Sequence, residues 1–193
     1  MKSVAVYCGS SAGHNDIYRQ QADAMGQALA ERNMTLVYGG GRVGLMGAVA
    51  DSVMRHGGRV IGVIPDFLAD KELAHLGLTE LHIVKSMHER KLLMADLAEG
   101  FVAMPGGYGT LEELFEVLTW AQLGLHRKPV AVLNVNGYYD QLLALLDTMA
   151  GEELLRRENR AQLLQDESPV LLLDKMLRFE PIAVEKWLSP PTT

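Results

Sequence analysis

Hydropathy changes its period repeatedly in this 193-residue sequence. Short runs rich in β-branched and aromatic residues, at 3–7, 35–38, 59–64, 81–84, 100–104, 129–134 and 161–165, alternate with stretches whose apolar residues recur every three or four positions, at 16–32, 45–55, 87–98, 111–123 and 139–149. A short apolar run suits a strand buried on both faces, and the three-and-four spacing gives a helix one apolar stripe to lay against such a strand. Their alternation predicts a doubly wound α/β fold, a mostly parallel sheet with helices on both faces in the Rossmann-like manner. Ser168-Pro169 sets an N-cap ahead of a first-turn proline and predicts a terminal helix. With no repeat or linker, a single domain over 1–193 is expected, ending in a disordered Ser189-Pro190-Pro191-Thr192-Thr193.

About half the residues are apolar, enough for one sizeable core. The net charge of -6 argues against a nucleic-acid partner, because surfaces that neutralise phosphates are usually basic. The single cysteine, Cys8, has no internal disulfide partner, and no early segment joins a basic start to a long apolar run, so a cytoplasmic location is expected. No apolar stretch approaches the roughly 20 residues of a membrane span. The histidines lack metal-ligand spacing with cysteine or carboxylate, so no metal is expected.

Three glycine-rich turns follow predicted strands: Cys8-Gly9-Ser10-Ser11, Gly39-Gly40-Gly41-Arg42-Val43-Gly44 and Pro105-Gly106-Gly107-Tyr108-Gly109-Thr110. In open parallel sheets the ligand lies beyond the carboxyl ends of the strands, where such turns let backbone approach it. In the third turn, converging N–H groups and the start of a helix make an anion cradle, with the Thr110 hydroxyl as a further donor suited to a phosphate monoester. A tight strand-to-helix turn with no ligand would use the same glycines. Thr110-Leu111-Glu112-Glu113 also fits a capping box in which Glu113 reaches back to a backbone N–H, a role compatible with facing a ligand's sugar. Glu112 is a candidate for ligand hydroxyls, and Glu116 reads as part of a solvated face. In the helix at 87–98, Met87, Arg90, Met94 and Leu97 form one stripe, so Arg90 interrupts an apolar face. A buried guanidinium requires an anion: an internal carboxylate, a bound phosphate or a catalytic carboxylate. Lys91 reads as solvated. The glycines at 39–47 are a weak nicotinamide signal, since no acidic residue clearly ends the strand at 59–64. Cys8, Trp120, Tyr138 and Tyr139 read as packing.

Pro105-Gly106-Gly107-Tyr108-Gly109-Thr110-Leu111-Glu112-Glu113 resembles the P-G-G-x-G-T-x-x-E string of the Lonely Guy family, cytokinin riboside 5'-monophosphate phosphoribohydrolases often mislabelled as lysine decarboxylases. Met87-His88-Glu89-Arg90-Lys91, Tyr38-Gly39-Gly40-Gly41 continuing to Gly47, and Ile61-Gly62-Val63-Ile64-Pro65 extend the similarity, which runs over 4–149. The resemblance implies a homodimer, each subunit splitting a nucleoside 5'-monophosphate, AMP or an N6-substituted relative, into free base and ribose 5-phosphate without a cofactor. It implies Arg90 and Glu113 as the catalytic pair, and Glu72, Lys91, Gly106, Gly107, Tyr108, Gly109, Thr110, Leu111, Glu112 and Thr119 as ligand contacts. Cleaving an N-glycosidic bond builds positive charge on the ribose, which a carboxylate stabilises while it positions water or attacks the sugar itself; both routes stay open. A non-catalytic nucleotide-binding module would keep the cradle and need neither Arg90 nor Glu113. A decarboxylase is rejected: pyridoxal phosphate enzymes of that kind are usually much larger, and no lysine here has a distinctive Schiff-base context.

Overall fold

The computed structural model describes residues 1–69 and 74–181; Glu72 and the tail at 189–193 lie outside the described residues. In chain order the elements are β1 (Ser3–Tyr7), α1 (Asp16–Glu31), β2 (Thr35–Tyr38), α2 (Gly44–Arg55), β3 (Val60–Pro65), a short α3 (Asp66–Leu68), β4 (Glu80–Val84), α4 (Met87–Leu97), β5 (Phe101–Ala103), α5 (Tyr108–Gln122), β6 (Val130–Leu133), α6 (Asp140–Gly151), α7 (Arg157–Ala161), β7 (Leu163–Asp166) and α8 (Pro169–Leu177). The seven strands form one sheet in the order β4-β3-β2-β1-β5-β6-β7. Every strand pair in it is parallel. The chain winds outward from β1 to β4, then returns to lay β5 against the free side of β1. That reversal leaves a gap between diverging loops above the carboxyl ends of β1 and β5, the place where doubly wound sheets bind ligands.

Residues alternate across the sheet as the pleat requires. Val4 and Val6 of β1, Leu36 of β2 and Val102 of β5 pack with Met25, Leu29, Val49, Leu172 and Met176 from α1, α2 and α8. On the other face Ala5, Tyr7, Val37, Phe101 and Ala103 meet Met94, Leu114, Val117 and Leu143 from α4, α5 and α6. Both faces are covered, which is why the strands read as near-continuous apolar runs. A doubly wound parallel sheet is therefore observed, as the periodicity predicts.

Element ends differ from the sequence reading in two places that matter. The last strand is Leu163–Asp166, and Ala161 instead ends α7. The residues before it carry charges that complement a helix dipole, Glu158 in the first turn and Arg160 in the last. Helix α5 starts at Tyr108, with Gly107 as N-cap and no side-chain cap. Thr110 thus lies inside the helix, and the Thr110–Glu113 capping box does not form.

Helices α1 and α2 touch along small residues. Ser52 is fully buried and its hydroxyl donates to the Asp23 carbonyl at 2.6 Å. A Cβ placed on Gly26 would lie 2.7 Å from the Val49 carbonyl oxygen. Alanine would add about 1 kcal/mol of helix propensity, but backbone on the other side cannot give way, and overpacking costs about 1–3 kcal/mol. Gly26→Ala is expected to destabilise the fold by about 1–2 kcal/mol, seen as a lower urea midpoint at unchanged m-value; an unchanged or raised midpoint would contradict this packing.

Candidate active site

Above the β1–β5 boundary lies a crevice of about 420 Å³. Cys8, Gly9 and Ser10 after β1, Gly39, Gly41 and Val43 after β2, and Ile64 and Leu68 at the end of β3 and in α3 form much of its wall. Met87 and Arg90 of α4 and Gly107, Tyr108, Gly109, Thr110, Glu112 and Glu113 at the start of α5 complete it.

Among the helices that begin beside this crevice, α2 and α5 differ in their N-termini. The first amides of α2 are occupied, Leu45 N–H donating to the Gly9 carbonyl at 3.0 Å and Met46 N–H to the same oxygen at 3.4 Å. At α5 the opening amides have no side-chain cap. A helix leaves its first four N–H groups without intrahelical partners, and here they open on the crevice with the positive end of the dipole behind them. Thr110 is buried beside them, and a Cβ on Gly106 would collide with its hydroxyl. Gly106 must therefore stay glycine for Thr110 to stand close over the loop.

Glu113 is one turn further along α5, its side chain 9% exposed, with Oε1 3.5 Å from Arg90 Nη2. That separation makes an ion pair, but it is long for a hydrogen bond. Arg90 Nη1 faces the Met87 sulfur at 3.8 Å, and Nε is buried with no partner among the described residues. The guanidinium is thus held near the crevice with donor capacity left over. It fits there because position 39 is glycine: a Cβ on Gly39 would overlap Nη2. Burial pushes the Glu113 carboxyl up from the usual range, the Arg90 charge opposes that shift, and neighbouring Glu112 adds to it. Burial, with the Glu113 charge adding to it, also pushes the Cys8 thiol up, so Cys8 stands in the wall protonated and not as a nucleophile.

Lys91 is not solvated. Its side chain is 8% exposed, and Nζ donates to Glu112 Oε1 at 2.5 Å and to Glu116 Oε1 at 3.0 Å. Glu116 is only partly solvated, its side chain 26% exposed, because Lys91 reaches across from α4 and covers one side of it. Burial works against the Lys91 charge, but the two carboxylates overcome it and hold the ammonium above the usual lysine range.

Of the residues singled out from sequence, Arg90, Gly107, Tyr108, Gly109, Thr110, Glu112 and Glu113 meet at the crevice, with Gly106 in the loop beneath. Leu111 is instead partly buried and packs against the core. Thr119 is exposed, lines a different hollow and donates its hydroxyl to the Phe115 carbonyl at 2.7 Å. Seven residues past Glu112, it falls on the same side of α5 but about 10 Å further from the mouth. Sequence reasoning gives Met46, Ile64, Leu68 and Met87 no part in a site, and finds Gly9, Ser10, Gly39, Gly41 and Val43 only through the glycine-rich turns after β1 and β2. Among the described residues no cluster of histidine, cysteine or carboxylate could hold a metal, and no helix is long and apolar enough to cross a membrane.

Residues 46–176 match a family model described as possible lysine decarboxylase. The chain is 51% identical over 164 residues, 84% of its length and 83% of the relative's, to a cytokinin riboside 5'-monophosphate phosphoribohydrolase of Rhodococcoides fascians. It is 47% identical over 181 residues, 93% of its length and 83% of the relative's, to one of Arabidopsis thaliana. The molybdenum cofactor carrier protein of Chlamydomonas reinhardtii superposes with a TM-score of 0.69 over 92% of this chain and 98% of that one; at 18% identity this likeness shows the shared fold.

The Lys91 pair gives a test of how α4 is tied to α5. Removing the ammonium leaves two carboxylates close together, but Glu112 is 56% exposed and water recovers part of the loss. Lys91→Met is expected to cost about 1–2 kcal/mol at pH 8. The folded state raises the lysine pKa, so this contribution is fully present below the unfolded value and is lost as pH rises through the folded one. Urea midpoints of the two proteins should converge above the ordinary lysine range; a gap that persists there would mean packing, not charge, is what Lys91 supplies.

Proposed function

We infer that this chain, which belongs to the cytokinin riboside 5'-monophosphate phosphoribohydrolase family, hydrolyses the N-glycosidic bond of a nucleoside 5'-monophosphate to free base and ribose 5-phosphate. The observation that carries the reading is the distance along one helix: the uncapped amides from Gly107 to Thr110 and the buried Glu113 carboxylate are separated by a single turn of α5. A turn spans about 5.4 Å, close to the span of a ribose between its 5'-phosphate and its anomeric carbon.

In this reading the α5 amides and the Thr110 hydroxyl grip the phosphate, and that remote grip sets the sugar over Glu113. As the base departs, positive charge grows on the anomeric carbon, and a carboxylate in a poorly solvated site stabilises it far more than one in water does. Arg90 keeps Glu113 ionised and oriented, and its spare donors face the nucleotide. The apolar wall of Val43, Met46, Ile64, Leu68 and Met87 receives the base, which suits AMP or an N6-substituted AMP. The working unit in this reading is a cytoplasmic homodimer. The outward face of α5, with Phe115, Thr119 and Leu123 exposed on it, is open to a second copy, and Thr119 meets a ligand only if such a copy brings its crevice there.

Purified protein given AMP should release adenine and ribose 5-phosphate, and adenosine should react poorly. Glu113→Gln is expected to lower base release by about 10³-fold while AMP still binds; AMP bound tightly by the unaltered protein with no base released would favour a binding module instead. The active form of Glu113 is the carboxylate, so rate falls as pH drops through its pKa. Since burial raises that pKa, the acid limb of kcat/KM should lie above the ordinary glutamate range, and a limb at or below that range would remove Glu113 from this role.

A further inference from the structure

The loop that cradles the phosphate is fastened from behind. Its three successive carbonyls at Met104, Pro105 and Gly106 each accept a hydrogen bond from another part of the chain: from Tyr139 Oη at 2.7 Å, from Gly9 N–H at 3.0 Å and from Tyr138 Oη at 2.6 Å. Two of the three donors are adjacent tyrosines on the turn between β6 and α6. That turn is held in shape by Asn134, whose Oδ1 accepts from Tyr139 N–H at 2.7 Å while its Nδ2 donates to Asp140 Oδ1 at 2.7 Å. Asn136 and Gly137 both take left-handed backbone angles, φ 50° and 69°, which bend the chain sharply enough to present both rings toward the loop. Tyr139 is buried and supports the end of β5. Tyr138 is 43% exposed, its ring edge-on to Tyr18 at 5.8 Å and to Tyr139 at 5.1 Å.

The consequence follows from peptide planarity. In a trans peptide the C=O of one residue and the N–H of the next point in opposite directions. Fixing the Gly106 oxygen on Tyr138 therefore fixes the Gly107 N–H on the far side of the same plane, away from Tyr138. With no Cβ at either position, that plane can turn between its held neighbours, the Pro105 carbonyl on Gly9 N–H at 3.0 Å and the Gly107 carbonyl on Leu111 N–H at 3.2 Å. A rotation of the plane would turn the carbonyl dipole toward a bound anion and withdraw a donor.

We propose that Tyr138 is a positioning residue for the substrate's phosphate group, acting through the Gly106–Gly107 peptide and never touching the substrate. This rests on the reading of the α5 terminus as the phosphate site. Tyr138→Phe removes the hydroxyl and keeps the ring contacts with Tyr18 and Tyr139. A grip made equally in the ground and transition states shows in KM, so KM for AMP should rise about fivefold, the usual worth of one anchoring hydrogen bond, with kcat within about twofold. The affinity for ribose 5-phosphate, measured by calorimetry, should fall by the same factor, and inhibition by adenosine, which has no phosphate, should not change. Unchanged ribose 5-phosphate affinity overturns the proposal, as does an equal loss for adenosine, which would mean a deformed crevice, or a fall in kcat alone. If the unaltered protein releases no base, the hydrolase reading fails, yet the ribose 5-phosphate comparison still decides the role of Tyr138.

Discussion

A carboxylate removed from water requires compensation, and the neighbourhood of Glu113 shows how little it receives. A single guanidinium stands 3.5 Å from it, and no lysine or backbone N–H closes on its oxygens among the described hydrogen bonds. In a buried site an ion pair of that kind is closer to balance than to gain, because both groups have lost their hydration. The fold brings the two partners together: Gly39 leaves the room that the Arg90 tip occupies, Met87 flanks it, and the second turn of α5 carries Glu113 to it. Much of the crevice can be understood as the setting for that under-compensated pair.

The same helix that buries Glu113 supplies the opposite polarity one turn earlier. Among the helices opening on the crevice, α2 is clamped to the Gly9 carbonyl, whereas α5 has glycine as its N-cap and no side-chain cap among the described residues. Free amides and dipole draw an anion to the start of α5, and the carboxylate beyond repels one. A ligand with negative charge at one end and a centre that turns positive during reaction is matched by this gradient. An ordinary dianion placed across the whole crevice is not. The strand reversal makes the gradient accessible, since only where β5 returns beside β1 do the loops diverge enough to leave α5 uncovered.

What sequence reveals here follows the length scale of each interaction. The sheet and its helices were legible because burial on two faces writes itself into periodicity, and the cradle because backbone approach demands glycine. Arg90 was legible as a polar break in an apolar stripe, although the stripe did not say which anion it meets; the structure brings Glu113. The start of α5 was misplaced by three residues, since Thr110 and Glu113 have the spacing of a capping box, and only the tertiary setting shows the glutamate turned inward. Lys91 and Glu116 read as solvated charges in the sequence for a related reason. Each is polar on its own helix, and Lys91 becomes buried and Glu116 partly covered only through the ion pair that joins α4 to α5, a contact no local pattern records. Tyr138 and Tyr139 read as packing in the sequence, which is true of their rings and silent about their hydroxyls.

The charges between α4 and α5 divide the work by direction. Arg90 and Lys91 are adjacent in sequence, so their side chains leave α4 about 100° apart. One enters the crevice and pairs with Glu113; the other runs alongside α5 and binds Glu112 and Glu116. Three carboxylates on a turn and a half of helix would repel one another and push the raised pKa of Glu113 higher still, and Glu112 and Glu116 do act in that direction. The single charge of Lys91 offsets part of that repulsion, and burial and Arg90 remain the largest influences on the Glu113 proton affinity, the two features that a ligand entering the crevice would alter. A ligand that excludes remaining water and draws on the spare donors of Arg90 would thus change the carboxylate's environment as it binds, while Lys91, paired with Glu112 and Glu116 on the neighbouring side of α5, stays outside the crevice.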